Sequence, residues 1–186
     1  AETGPGLAVS YANDNGFVAS ASLVSTGGAN SSLGINTDNT NDVTTFTVGY
    51  DGDGFGGGIV IASNDGDVTT DNLGYDTFGA GLYYSPESLD ATFSLAYDTQ
   101  DPEDGSDATS LFIGVDYEVG PGTLSAAYIT LDVDDSSDNT DQKGYELSYS
   151  YPVNDSVTIS PGIFSIEENT STNDDSGVII ETAFSF

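Results

Sequence analysis

Apolar residues fall at every second position in a series of short runs, and that alternation leaves little choice of fold. In "TTFTVGY" one face takes Thr44, Phe46, Val48 and Tyr50, and the other takes Thr45, Thr47 and Gly49. "LDATFSLAY" sets Leu89, Ala91, Phe93, Leu95 and Tyr97 against Asp90, Thr92, Ser94 and Ala96. "LFIGVDY" sets Leu111, Ile113, Val115 and Tyr117 against Phe112, Gly114 and Asp116, and "YELSYSY" sets Tyr145, Leu147, Tyr149 and Tyr151 against Glu146, Ser148 and Ser150. The closing "SGVIIETAFSF" aligns Val178, Ile180, Thr182, Phe184 and Phe186, with Ile179, Glu181, Ala183 and Ser185 between them. Successive strand side chains point to opposite faces, so each run reads as a strand with one apolar face and one small or polar face. Eleven strands are expected, over 6–12, 16–25, 43–50, 54–62, 74–84, 89–97, 108–118, 123–131, 144–152, 156–166 and 177–186. The run at 123–131 alternates least, with apolar residues on both faces. Helix signals are scarce, and the fold class expected is all-β.

The connections alternate as well. "NDN", "DGDG", "SPES", "EVGPG" and "PVND" are tight-turn text, rich in residues that tolerate or favour turn geometry. Between them lie longer stretches at 26–42, 63–73, 98–107, 132–143 and 167–176, which hold 19 of the 31 acidic residues. The acid therefore gathers at one end of an up-and-down meander.

Composition excludes several functions. One Lys+Arg against 31 Asp+Glu gives a formal charge of -30, so nothing here neutralises a phosphate backbone and nucleic acid is not a partner. With no Cys and no His there is no Ser-His triad, no thiol nucleophile and no zinc site of the usual ligands. No cofactor and no enzyme activity are expected; paired carboxylates could serve glycoside chemistry, but no two converge in the sequence. The chain also lacks Met, and reads as a processed product or a fragment. No apolar run approaches the roughly 18–20 residues of a membrane helix, but a transmembrane strand shows its apolar residues only at alternate positions.

Short turns at one end and long polar loops at the other are the pattern of an outer-membrane β-barrel, with the turns periplasmic and the acidic loops outside. The final strand then ends at the short-turn side, where Phe186 resembles the C-terminal aromatic insertion signal of bacterial outer-membrane proteins. Tyr50, Tyr84, Tyr97, Tyr117 and Tyr151 stand at expected strand ends, where an aromatic girdle belongs. Single-chain bacterial barrels have even strand numbers, whereas this chain has eleven and begins on the loop side. Open edges are not tolerated in lipid. Residues 1–186 are thus expected to form one β-barrel domain that is part of a larger barrel, the remaining strands coming from another chain or from a precursor segment.

The stretches "VGYDGDGFGGGIVIASNDGD", "YDTFGAGLYYSPESLDATFSLAYDTQDPEDGSDA", "GVDYEVGPGTLSAAY" and "YSYPVNDSVTISPGIF" resemble the C-terminal barrel portion of cyanobacterial outer-membrane porins that carry a surface-layer-homology (SLH) domain. The likeness covers most of residues 40–186. It implies a large barrel passing small solutes and inorganic ions, embedded in outer-membrane lipid and assembling as a homo-oligomer, a trimer. The SLH domain, the helical stalk and the first barrel strands of that family have no counterpart in this sequence.

On this reading Phe46, Phe93, Leu95, Leu111, Ile113, Val115, Leu147, Ile180 and Phe184 face lipid. The opposite face is largely Gly, Ser, Thr and Ala, with Asp90, Asp116, Glu146 and Glu181 lining the pore. Carboxylates without basic partners favour cations in the lumen. Lys143, the sole cation, sits in an outer loop and is incidental. "LDVDDSSDNTDQ" clusters Asp132, Asp134, Asp135, Asp138 and Asp141, but lacks the glycine and terminal Glu of an EF-hand loop, and "NDGDVTTDN" is equally loose. A solvated anionic surface is the simpler reading, and no metal site is assigned. The competing function is a secreted acidic surface protein, an adhesin or fibre subunit assembling by strand addition and binding Ca²⁺ through its loops.

Overall fold

The computed structural model describes residues 6–27, 40–64, 74–102, 105–134, 140–169 and 174–185. Within them the chain is a single antiparallel sheet of eleven strands in sequence order: β1 (Gly6–Ala12), β2 (Phe17–Gly27), β3 (Thr40–Gly52), β4 (Phe55–Asn64), β5 (Tyr75–Tyr84), β6 (Ala91–Pro102), β7 (Asp107–Val119), β8 (Gly122–Asp134), β9 (Thr140–Asn154), β10 (Val157–Glu168) and β11 (Asp175–Phe184). No helix occurs among the described residues. Each strand pairs with its sequence neighbours only, so β1 and β11 are the two edges and do not pair with each other.

All eleven expected strands are present, and their ends correct the reading of the acidic connections. The strands run further toward the long-connection end than the apolar alternation does. Asp98, Asp101 and Asp107 lie on β6 and β7, Asp132, Asp134 and Asp141 on β8 and β9, and Glu167 and Glu168 on β10, all as strand residues rather than loop residues. Asp has low β-propensity, but a ladder already nucleated by its apolar stretch continues past it, because propensity yields to pairing context. Tyr97 is corrected for the same reason. It lies inside β6, which continues to Pro102, and not at a strand end. Asp90 precedes β6 in a bend, where its carbonyl oxygen accepts the Glu118 backbone N–H at 2.8 Å.

The short turns hold the other end together. Gly16 adopts φ 84° and Gly54 φ 77°, left-handed values that a side chain would strain against. Each turn also bonds to the next strand but one. The Gly16 carbonyl accepts Asp51 N–H at 2.9 Å, that of Gly54 accepts Ser85 N–H at 2.6 Å, and that of Ser156 accepts Ser185 N–H at 3.0 Å. The turn rim is thus stitched from one hairpin to the next.

Hydrogen-bonded rows climb across the sheet. The row that passes through Val9 near the middle of β1 continues through Ala21, Phe46, Ile61, Phe78, Thr99, Thr109 and Asp132 to Asp141, the second residue of β9. Such a stagger accompanies the strand tilt of a closing barrel.

No hydrophobic side chain is buried among the described residues. The accessible surface is 12540 Å², against roughly 8,400 Å² for a compact soluble chain of this mass. Among the described residues the sheet is a single layer, with no helix or second sheet against it.

Candidate functional site

Register assigns every strand residue to one of two faces, since directly paired residues share a face. Starting from Phe46, the same face carries Ile61, Phe78, Tyr97, Leu111, Thr130 and Lys143 along or beside one climbing path. It also carries Phe93 and Leu95, which pair with Val115 and Ile113, then Leu147 opposite Ile163 and Ala126, and Ile180 and Phe184 opposite Pro161 and Val157. All nine residues expected to face lipid therefore share one face. It is openly apolar: Phe46 is 55% exposed, Ile180 69% and Val178 73%. A continuous apolar surface of this extent marks contact with lipid or protein.

Aromatics gather on the apolar face at the short-turn end. Tyr11 packs against Phe17 with ring centroids 6.3 Å apart, Tyr50 against Phe55 at 5.2 Å, and Tyr149 against Tyr151 at 6.5 Å. Tyr149 also donates through its hydroxyl to the Val119 carbonyl at 3.0 Å. A second pair, Tyr128 and Tyr145 at 5.1 Å, stands further toward the other end. Between Phe17, Tyr50, Leu82, Leu95 and Tyr97 a shallow apolar groove of about 520 Å³ runs over Gly57 and Ala80.

The opposite face carries Asp116, Glu146 and Glu181. Asp116 pairs with Thr92 and Ser125, Glu146 with Ala127 and Phe164, and Glu181 with Ser160. Asp90 continues the Asp116 parity one step beyond β6 through its bond to Glu118. The four residues share a face without converging on one point, and they are spread from β6 to β11. Hydroxyls tie this face together: Ser125 donates to Asp116 at 2.6 Å, Ser20 and Thr47 share a bond of 2.5 Å, and Ser160 donates to Ser150 at 3.1 Å. Tyr83 donates to the Asp51 carboxylate near the turn rim, and Gln142 donates to Glu168 at 3.3 Å near the other end.

Asp51, Asp98, Glu118 and Glu168 share the polar face too, and the sequence reading missed them. Asp51, Asp98 and Glu168 follow the point where the apolar alternation stops. Glu118 is in phase with Asp116, and that parity was the available signal. The polar face is also less uniformly small than expected. Phe112, Ile129, Phe164, Ile166 and Ile179 lie on it. Four of them, Phe112, Ile129, Phe164 and Ile179, lie over glycines. An added Cβ on Gly114 would meet the Phe112 ring at 2.8 Å, one on Gly177 the Phe164 ring at 2.9 Å, and one on Gly144 the Ile129 methyl at 2.7 Å.

The acidic residues past the apolar band pair like with like. Asp76 faces Asp101, Asp107 faces Asp134, and Asp132 faces Asp141. Lys143 is on the apolar-face parity, opposite Thr130 and Glu167, and borders a polar hollow of about 270 Å³ with Asp141, Glu168 and Asp174. Asp135, Asp138 and most of "NDGDVTTDN" lie outside the described residues, as does Phe186. Among the described residues, no group of three or more acidic side chains is placed to hold a metal ion.

The family model described as Gram-negative porin matches residues 2–180. Among solved structures, the sheet resembles the anion-selective porin from Comamonas acidovorans, with 16% identity and a TM-score of 0.78 over 97% of this chain and 59% of that one. It also resembles a porin refined at 1.8 Å (17% identity, TM-score 0.72, 100% and 63% covered) and the loop-deleted outer membrane protein OmpT of Vibrio cholerae (15%, 0.71, 96% and 62%). The chain thus spans about six-tenths of the length of these solved porins. A comparison of the sequence with curated proteins found no match. The eleven strands form an up-and-down transmembrane barrel portion of this architecture.

Proposed function

The chain belongs to the Gram-negative porin family and resides in the outer membrane, and from that premise we propose that it forms the wall of a passive channel for small solutes and inorganic ions that favours cations. One observation carries the reading. A sheet one layer thick presents an apolar face on one side and, on the other, mostly small and hydroxylated residues with carboxylates and a few large apolar side chains. In lipid that arrangement satisfies the backbone groups between the two edge strands through the ladder and gives water the polar side. Phe46, Phe93, Leu95, Leu111, Ile113, Val115, Leu147, Ile180 and Phe184 then meet lipid, while Asp90, Asp116, Glu146 and Glu181 line the lumen. A secreted adhesin or fibre subunit would leave the same apolar face to water.

Residues 1–186 act in this proposal as one barrel domain. The open edges of β1 and β11 pair with further strands of the barrel, and the barrels associate as a homo-oligomer, a trimer. The turn and glycine-rich text over most of residues 40–186 supports a likeness to the cyanobacterial SLH-bearing type. The role is transport, with no catalytic step and no cofactor.

Cation preference follows from the charges on the polar face. Asp116, Glu146 and Glu181 stand there, and the only basic residue of the chain has the opposite parity. A ring of one sign in a water-filled pore concentrates counter-ions. Reconstituted in a planar bilayer with the strands that complete its barrel, the protein under a salt gradient should give a reversal potential of the sign set by cations. A reversal potential of anionic sign would overturn the preference, and the absence of any conductance would overturn the channel itself.

A further inference from the structure

The polar face of β7–β11 contains an apolar floor with one carboxylate in its midst. Register sets Phe112 opposite Ile129, Ile129 opposite Gly144 and Gly144 opposite Ile166. The next row toward the short turns reads Gly114, Ala127, Glu146, Phe164 and Gly177, and the row after it sets Gly162 opposite Ile179. Glu146 therefore has Phe164 across one ladder and Ala127 across the other. Ile129 and Ile166 stand diagonal to it, at the roughly 7–8 Å that long side chains bridge. Ile179 closes the floor beyond Gly162, where an added Cβ would meet its methyl at 3.1 Å. Phe112, Ile129, Phe164 and Ile179 lie over Gly114, Gly144, Gly177 and Gly162, so the floor runs along the wall.

Glu146 is exposed and lacks a basic neighbour in the chain. Lys143, the single cation, sits on the opposite parity, three residues away on the same strand. An uncompensated carboxylate among aliphatic side chains, with the Phe164 ring beyond it over Gly177, suits a cation with an apolar body. The charge is met by ion pairing, and the body by apolar contact with the floor. A hydrated inorganic cation gains only the first of these.

We propose that Glu146, Phe164, Ile129, Ile166 and Ile179 form a binding site for organic cations, namely small primary ammonium compounds carrying an aliphatic or aromatic group. The assignment rests on the polar face being the lumen wall. It makes the pore selective among cations of equal charge, with the apolar floor supplying the discrimination.

The test is potassium current through the intact protein in planar bilayers as ethylammonium or phenethylammonium is added. Phenethylammonium should reduce the current at about a tenfold lower concentration than ethylammonium, a ratio that corresponds to about 1.4 kcal/mol. Glu146→Gln should raise the half-blocking concentration of both by about tenfold. Phe164→Ser should bring phenethylammonium close to ethylammonium. Equal block by the two ions in the wild-type channel, or block unmoved by Glu146→Gln, overturns the site and leaves the porin reading standing. The wild-type comparison decides even if a variant fails to fold. No conductance from correctly folded protein overturns the porin reading, and the site with it.

Discussion

A Cβ added to Gly16 would meet the carbonyl oxygen of Asp51 at 1.8 Å, the same oxygen-bearing residue whose N–H the Gly16 carbonyl holds. The position is closed twice, by its φ of 84° and by its neighbour. Gly16→Ala should therefore destabilise the protein by about 1–3 kcal/mol, the usual cost of forcing a side chain into such a conformation. Urea unfolding in lipid vesicles reads the shift, and an unchanged midpoint would show that the turn relaxes. On the apolar face the sensitive test is charge. Ile113 is central in β7 and 47% exposed. Ile113→Arg should cost about 2–4 kcal/mol, the range for a cationic side chain at the bilayer midplane. Its near neighbour across β6, Ser94 on the polar face, should accept Arg at little cost in stability and shift the conductance instead. Equal costs at the two positions would mean that the faces do not differ in their surroundings.

Among the elements, the upper ends of β5–β9 carry the least expected feature. Three carboxylate pairs face each other across the β5–β6, β7–β8 and β8–β9 ladders: Asp76 with Asp101, Asp107 with Asp134, and Asp132 with Asp141. Like charges directly opposite destabilise a sheet by a few tenths to about 1 kcal/mol per pair. Asp132→Asn should accordingly stabilise the protein by up to about 1 kcal/mol at low salt, and the gain should shrink as salt screens the pair. Melting curves at two ionic strengths check it. These ends also show what sequence reading could and could not recover. All eleven strands were legible, because each has an alternating core bounded by Asn, Asp, Gly and Pro turn text. Their upper limits were not, since Asp and Asn read as loop while the ladder carries them on as strand. Asp116, Glu146 and Glu181 could be put on one face because parity within a single strand fixes it. The apolar floor around Glu146 could not be read, because it is made by register between strands, and no one strand contains the information that Phe164 stands beside Glu146.

At the scale of the whole molecule, the proposed preference for cations over anions rests on a summed field rather than on one residue. The formal charge is -30 on 186 residues, with acid on the polar face and beyond the apolar band. That field reaches about 30 Å at 0.01 M salt and about 3 Å at 1 M. Cation preference should therefore be strong in dilute salt and fall toward the bulk mobility ratio in concentrated salt. Substituting Asp90, Asp116 and Glu146 by Asn or Gln should reduce it further. Reversal potentials over a salt series separate the two contributions, and a preference independent of salt would place selectivity in a narrow contact rather than in the field.

All of this depends on which face meets water, and the absence of native cysteine makes that directly measurable. Single cysteines placed in turn along β6 and β7, at Phe93, Ser94, Leu95, Ala96, Ile113, Gly114, Val115 and Asp116, can be exposed in outer-membrane vesicles to a charged, water-soluble thiol reagent. The account predicts labelling that alternates residue by residue: fast at Ser94, Ala96, Gly114 and Asp116, and absent at Phe93, Leu95, Ile113 and Val115. Labelling in the opposite phase, or at all eight positions alike, would contradict it.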